Sequence, residues 1–358
     1  MTVAFVTGFP GFLARWWVRK WLSASDDARI VALVLPEERA AAERHLDALL
    51  GLESRDLAPT RVELVVGDVR RPGLGMSPEL RGELAQSVTE VHHLAAQLFG
   101  EPKAMEQVNV RGTEHVLAFA ASCRTLERFV HYSSAYVCGR RSGVVMEDEL
   151  EQGQSFRNAY EATKYRAEQR VRAAPAGLPW LVIRPAGVVG DTLTGHSDRC
   201  ESIYHLALFL AALPSGLSPP TMGDGGAPLH ILPVDHLIDA VHVIASRPDA
   251  IGKTFHVVDP NPIPVPIPVR RAFEAVAERI GRKLSRYEVP APIGKALLRL
   301  PGLERWSSIS PDSIDYASAM VFFNSKNTRD ALTGTGMRPP QLEDYLDVLV
   351  QHALRPNP

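Results

Sequence analysis

The stretch that most constrains this chain lies at its start. Thr2-Val3-Ala4-Phe5-Val6-Thr7 is an apolar, partly β-branched run that stops at Gly8-Phe9-Pro10-Gly11-Phe12-Leu13-Ala14, where a helical pattern begins. This pattern predicts a buried strand, a tight turn and a helix. Gly8 suits the positive φ of such a turn, Gly11 lets backbone approach a ligand, and Ala14 lets the helix pack on the strand. The helix then presents unpaired N–H groups and the positive end of its dipole, a site for a dinucleotide pyrophosphate. Thr7, Gly8, Phe9, Pro10, Gly11, Phe12 and Leu13 form the candidate wall of that site. The spacing is G-x-x-G-x-x-A rather than G-x-G-x-x-G, and a glycine turn of this kind is often only a turn.

The alternation continues. Arg29 to Leu35, Arg61 to Val66, Thr89 to Leu94 and Arg128 to Ser133 read as further strands. Between them lie helical patterns from Glu37 to Leu50, ended by Gly51, from Ser77-Pro78-Glu79, and from Glu106 to Cys123. Five strands alternating with helices imply a parallel sheet covered on both faces. Small residues at the strand ends mark the ligand edge: Ala95 and Ala96 let backbone lie against a flat group, and Asp68 and Val69 meet an adenine edge or form a plain turn. The second strand ends in Leu35-Pro36, which offers neither an acid for a ribose hydroxyl nor an arginine for a phosphate, although Glu37, Glu38 and Arg39 follow. Arg15 stands in the first helical turn, where the dipole disfavours a cation, so either an anion such as a 2′-phosphate or simple solvation accounts for it. Trp17 and Trp21, at i,i+4 spacing, and the alternating His92 and His93 read as packing residues.

Composition narrows the partner. Of 358 residues, 45% are hydrophobic and 22% charged, and the net charge is -2 with both signs interspersed. That leaves no electrostatic footprint for nucleic acid or an acidic membrane, and a small molecule is the expected partner. Cys123, Cys138 and Cys200 are odd in number and lack metal-ligand spacing, so neither a disulfide framework nor a metal site is expected. No signal peptide precedes the first strand and no apolar run reaches the ~20 residues of a membrane span, so a reducing, cytoplasmic setting is expected.

Two stretches carry chemistry. Ser133-Ser134-Ala135-Tyr136-Val137 closes the fifth strand, where side chains line the ligand crevice of such sheets; the serines serve the reaction or merely cap a turn. Asn158-Ala159-Tyr160-Glu161-Ala162-Thr163-Lys164 opens a helix reaching about Ala174. Tyr160 and Lys164 are four apart and share a helix face, and an ammonium beside a phenol lowers a pKa that is ordinarily near ~10. Such a pair is common by chance, but not behind a glycine turn and a strand-end serine.

In this order and spacing T-G-F-P-G-F-L-A, S-S-A-Y-V and Y-E-A-T-K resemble the extended short-chain dehydrogenase/reductase family over nearly the whole chain. G-D-V-R-R-P-G-L-G-M-S-P-E at 67–79, I-R-P-A-G-V-V-G-D-T-L-T-G at 183–195 and G-T-G-M-R-P-P at 334–340 are similar to its fatty acyl-CoA reductase and thioester reductase-like branch. The resemblance implies an α/β fold: a Rossmann-type doubly wound parallel sheet over 1–190 and a smaller, mostly helical substrate-binding subdomain over 191–358, interleaved with the last strands. It carries the family's catalytic triad onto Ser134, Tyr160 and Lys164. It carries a helix asparagine onto Asn109, which would fix a water relaying protons to Lys164. Pro185, Gly187 and Val188, after the strand from Trp180, lead toward the nicotinamide. Ala14 replaces the usual third glycine, and Leu35 stands where many thioester reductases have an arginine. Arg15 matches the other phosphate-binding arginine of carboxylic acid reductases, so NADPH is expected rather than NADH.

The implied activity is NAD(P)H-dependent reduction of an acyl thioester, CoA-bound or presented by a carrier protein, to an aldehyde or alcohol, with Tyr160 as general acid. A ketone or aldehyde reductase, a hydroxysteroid-type dehydrogenase and a nucleotide-sugar epimerase would use the same triad. A non-catalytic dinucleotide-binding regulator would not need it. Beyond residue 190 the apolar helix Ile203 to Leu213 lines a pocket or packs in a core. Pro233-Val234-Asp235 caps the next helix, Thr254 to Val258 adds a seventh strand, and five prolines in 260–268 make a loop. Later helices are expected from Val269 to Gly281, Pro292 to Leu300, Asp312 to Met320 and Gln341 to Leu354.

Overall fold

Seven of the apolar runs form one parallel sheet: β1 Val3–Thr7, β2 Arg29–Val34, β3 Val62–Val66, β4 Glu90–His93, β5 Arg128–Tyr132, β6 Trp180–Pro185 and β7 Thr254–Val257. This computed structural model describes residues 2–53, 61–198, 203–214, 216–222, 226–258, 269–285, 287–299 and 311–355. The strand order is β7-β6-β5-β4-β1-β2-β3, every neighbouring pair parallel. The order reverses between β1 and β4, so connections leave in opposite directions there and open a crevice at the carboxyl ends.

Strand alternation divides the core. Ala4, Val6, Ile30, Ala32, Leu181 and Ile183 face one side, with Trp17 and Val18 of α1 (Phe12–Ala24) and Leu237 and Val241 of a later helix, Val234–Ala245. Val3, Phe5, Val31, Leu33 and Val182 face the other, against Leu84 of Pro78–Ser87, Val116 and Phe119 of Gly112–Ser122, and Val171 of Ala159–Arg172. Trp17 and Trp21 stack at 4.3 Å between centroids, and Trp17 Nε1 donates to His92 Nδ1 at 3.0 Å, so both tryptophans and this histidine are packing residues.

The other α-helices among the described residues are α2 Arg39–Glu53, α3 Pro78–Ser87, α4 Pro102–Met105, α5 Gly112–Ser122, α6 Ala159–Arg172, α7 Ile203–Ala212, α8 Val234–Ala245, α9 Val269–Arg279, α10 Ala291–Leu298, α11 Pro311–Ala317, α12 Lys326–Leu332 and α13 Leu342–Leu354. A π-wound stretch, Glu106–Arg111, joins α4 to α5. A separate apolar cluster joins Tyr204, Leu206 and Leu210 of α7 to Ala272 and Val276 of α9 and to Leu346 and Leu349 of α13. Three two-stranded parallel pairs knit distant segments: Gly143–Val145 with Val321–Phe323, Gly187–Val189 with Ile231–Pro233, and Thr221–Met222 with Glu288–Val289.

Two local expectations are corrected. α2 continues through Gly51 to Glu53, since a glycine weakens a helix without forbidding it. Asp235 does not cap α8; its carboxylate accepts from the N–H of Thr192 at 3.1 Å and from the Thr192 hydroxyl, tying α8 to a loop. Cys200 and the proline-rich 260–268 lie outside the described residues.

Candidate active site

The β1–α1 turn is built around close backbone approach. Gly8 has φ +92°, and a Cβ there would lie 2.7 Å from the Ala95 nitrogen, so only glycine lets β1 close on the end of β4. Gly11 donates its N–H to Gly8 O at 2.8 Å and opens α1. No side chain caps this helix and no acid stands in its first turn, so its leading N–H groups are disposed toward an external anion. Around it Pro10, Phe12 and Leu13 are half-buried and Gly11 is exposed.

Two residues of the candidate wall turn inward. Phe9 is 1% exposed and its ring belongs to the core, so only its backbone faces the turn. Thr7 Oγ1 lies 2.8 Å from His93 Nδ1 and accepts from Ala95 N at 3.2 Å, stitching the ends of β1 and β4. Beyond β3, the Asp68 carboxylate accepts from Arg70 N at 2.8 Å and Arg70 Nε at 2.9 Å. Against the rise that burial brings, those bonds hold its carboxyl below the ordinary value. Val69 is buried against Gly112, where a Cβ would lie 3.0 Å from its Cγ2. Ala96 is exposed and Ala95 half-buried past β4, while Pro185, the last residue of β6, is buried and Gly187 and Val188 beyond it are half-buried.

Arg15 is neither solvated nor unpartnered. Its Nη2 is ion-paired with Asp198, its Nη1 lies 3.1 Å from His45 Nε2, and its side chain is 17% exposed.

The adjacent serines part company. Ser133 Oγ donates to Glu168 Oε2 at 2.7 Å, inside a buried network in which Arg184 Nη2 reaches Glu168 Oε1 at 2.7 Å and Arg172 Nη2 reaches it at 2.9 Å. Ser134, 6% exposed, accepts from Tyr136 N at 3.2 Å and so caps the turn Ala135–Cys138. Asn158 caps α6 by accepting from Glu161 N at 3.0 Å, which fixes the helix start and with it Tyr160 in the first turn. Tyr160 is half-buried; Lys164, one turn on, is 3% exposed and its Nζ donates to Tyr132 O of β5. Burial pushes the Lys164 ammonium down to about 8, with Glu168 opposing. Burial, then the Lys164 charge, drives His93 down to about 3, so it stays neutral.

Asn109 stands in the π-wound stretch, but its amide is committed elsewhere. Oδ1 accepts from Gln97 N at 2.7 Å, and Nδ2 donates to Gln97 O at 3.0 Å and Thr163 Oγ1 at 2.9 Å. It pins the loop after β4 to α6, with both Nδ2 protons used and one acceptor position left on Oδ1. Sequence reasoning missed Glu168 and Asp198. Glu168 lies one turn past Lys164 on the same face, a signal that was available; Asp198 lies 183 residues from Arg15, with no local signal.

Among the described residues no group of three His, Cys, Asp or Glu side chains could hold a metal, and no helix is long and apolar enough to cross a membrane. The sequence pattern of an NAD-binding family described as Male sterility protein matches residues 6–241. Nonribosomal peptide synthetase asaC of Aspergillus flavus is 26% identical over 273 residues, covering 72% of this chain and 26% of that protein. Fatty acyl-CoA reductase wat of Drosophila melanogaster is 25% identical over 271 residues, covering 66% of this chain and 52% of that protein. The chain thus spans about a quarter of the length of the first of these relatives and about half of the second. The terminal R domain from the myxalamid PKS-NRPS biosynthetic pathway superposes with a TM-score of 0.79 at 25% identity, covering 98% of this chain and 90% of that one.

Proposed function

Since this chain belongs to the male sterility protein family of NAD-binding domains, we propose that it is an NAD(P)H-dependent reductase of acyl thioesters, CoA-bound or held by a carrier protein. The observation that carries the reading is the buried Lys164 one helical turn from Tyr160, with Ser134 at the end of β5, in a sheet whose α1 N-terminus is left uncapped. Fatty acyl-CoA reductases and the myxalamid R domain, as named, support this substrate class over other carbonyls.

The residues fit a dinucleotide: the first-turn N–H groups of α1 suit a pyrophosphate, Ala95 and Ala96 admit close approach, and Asp68, past β3, would meet the adenine end. The bound cofactor would supply hydride. Ser134 and Tyr160 hydrogen-bond the substrate's carbonyl oxygen, where negative charge develops. Tyr160 gives that oxygen its phenolic proton. Lys164 lowers the phenol's pKa by its charge and holds the ribose. The hemithioacetal so formed collapses by breaking its C–S bond, giving an aldehyde and a thiol; a second reduction gives an alcohol. Arg15 favours NADPH over NADH. The free thiols of Cys123 and Cys138 suit a reducing, cytoplasmic setting.

Product analysis with NADPH and a panel of acyl-CoAs, acyl-pantetheines, aldehydes, ketones and nucleotide sugars tests this. Aldehyde or alcohol with stoichiometric thiol is expected. Turnover of ketones or nucleotide sugars alone would replace it with another member of the same reaction family, and no turnover with intact dinucleotide binding would favour a regulator.

A further inference from the structure

We propose that Asp198 sets cofactor selectivity by competing with the cofactor's 2′-phosphate for Arg15, an inference that rests on reading Arg15 as the phosphate-binding residue. The Arg15–Asp198 pair joins the first-turn region of α1 to a loop 183 residues further along the chain. Arg15 is the fourth residue of α1, beside the leading N–H groups, so its guanidinium and those N–H groups serve one anion-binding region.

The loop presenting Asp198 is held by contacts of its own. The Asp191 carboxylate accepts from Leu193 N at 3.0 Å and Thr194 N at 2.8 Å. Tyr204 OH accepts from Gly190 N and donates to Gly195 O, both at 2.8 Å. Gly195 is pressed on α13 so closely that a Cβ would lie 2.4 Å from Val348 O. Asp198 therefore leaves this frame three residues past Gly195 and meets Arg15 as part of a built contact between two regions of the molecule.

Charge decides the competition. Asp198 is the carboxylate at this guanidinium; the other groups close by are His45 at 3.1 Å from Arg15 and His196 at 3.5 Å from Asp198, with Arg44 next to His45 in α2. A 2′-phosphate brings close to two negative charges to a cation already neutralised, and must displace the carboxylate or bear its repulsion. A 2′-hydroxyl meets no such penalty. Asp198 thus lowers affinity for the phosphorylated cofactor specifically, and its loss increases the preference for it.

Dissociation constants for NADPH and NADH, read by fluorescence titration of the purified chain, would be compared in wild type, Asp198→Asn, Arg15→Ala and the double variant. D198N should tighten NADPH about fivefold, the upper end of what a partly exposed ion pair is worth, and NADH less than about twofold. The gain should vanish in the Arg15→Ala background. Asp198→Glu, which keeps the charge, should bind like wild type and controls for a loosened loop. Unchanged or weaker NADPH binding by a D198N protein with wild-type melting temperature overturns the proposal, and so does equal tightening of both cofactors. Equal weakening of both cofactors by R15A alone instead refutes the reading of Arg15 on which the proposal stands.

Discussion

Ser133 and Ser134 are neighbours whose hydroxyls serve different structures: Ser133 Oγ donates to buried Glu168 at 2.7 Å, and Ser134 Oγ accepts from Tyr136 N at 3.2 Å. An accepted bond leaves the Ser134 proton to be donated, whereas Ser133 has given its own away. Ser134→Ala should therefore lower kcat by about 10²–10³, as for a lost oxyanion donor, at a stability cost of about 1 kcal/mol for the lost cap on Tyr136 N. Ser133→Ala should leave a buried carboxylate one donor short and cost about 1–3 kcal/mol of stability. Steady-state kinetics and thermal melts on both variants separate the two roles; equal losses of kcat with no change in stability would contradict them.

Tyr160→Phe keeps the ring and removes the proposed proton donor. Turnover should fall by roughly 10²–10⁴ while the melting temperature and NADPH affinity hold. Near wild-type turnover, with chemistry rate-limiting, would remove Tyr160 from the mechanism.

Burial places the Lys164 ammonium at about 8, against an ordinary 10.5. The charged form prevails at neutral pH and is lost as pH rises through about 8, so kcat/KM for the cofactor, which reports the free protein, should fall on that side. Stability should move the other way. Between about 8 and 10.5 the unfolded chain binds the proton that the folded chain has released, so the penalty of the buried charge, full below about 8, is relieved as pH increases. A pH series of kcat/KM and of chemical denaturation tests both signs. Lys164→Arg, which does not titrate in this range, should lose both trends.

The acyl-thioester reading also predicts a chain-length series. Each methylene buried in an apolar site adds up to ~0.8 kcal/mol, so kcat/KM should climb several-fold per carbon until the site is full. The apolar side of α7 does not by itself provide that site: Tyr204, Leu206 and Leu210 are buried in the helical core with Phe209 packed against it, leaving Leu208 exposed. Measuring acyl-pantetheines of increasing length below their micelle-forming concentrations decides the point, and a flat series would rule out an acyl-chain site.

What could be read from sequence was what depends on local period. The two-residue alternation of Val3 to Thr7 assigns each side chain to a face, Gly8 announces the turn, and the four-residue step from Tyr160 to Lys164 places both on one side of α6. What escaped depends on partners far along the chain. The bonds from Asn109 to Gln97 and Thr163 carry no mark in the local pattern, and Arg15 reads as open until Asp198 arrives on its guanidinium. Pairs such as Gly187–Val189 with Ile231–Pro233 are too short for any period to register.

Those short pairs make the chain woven rather than beaded. Gly143–Val145 lies beside Val321–Phe323, and Gly195 rests on Val348, so the C-terminal part is built into a frame begun before the middle of the chain. A transplant that swapped residues 191–358 as one block would part Val321–Phe323 from Gly143–Val145 and Ile231–Pro233 from Gly187–Val189. To move a substrate preference from one member of this family to another, the graft must carry the segment after β5, the loop after β6 and the C-terminal helix together.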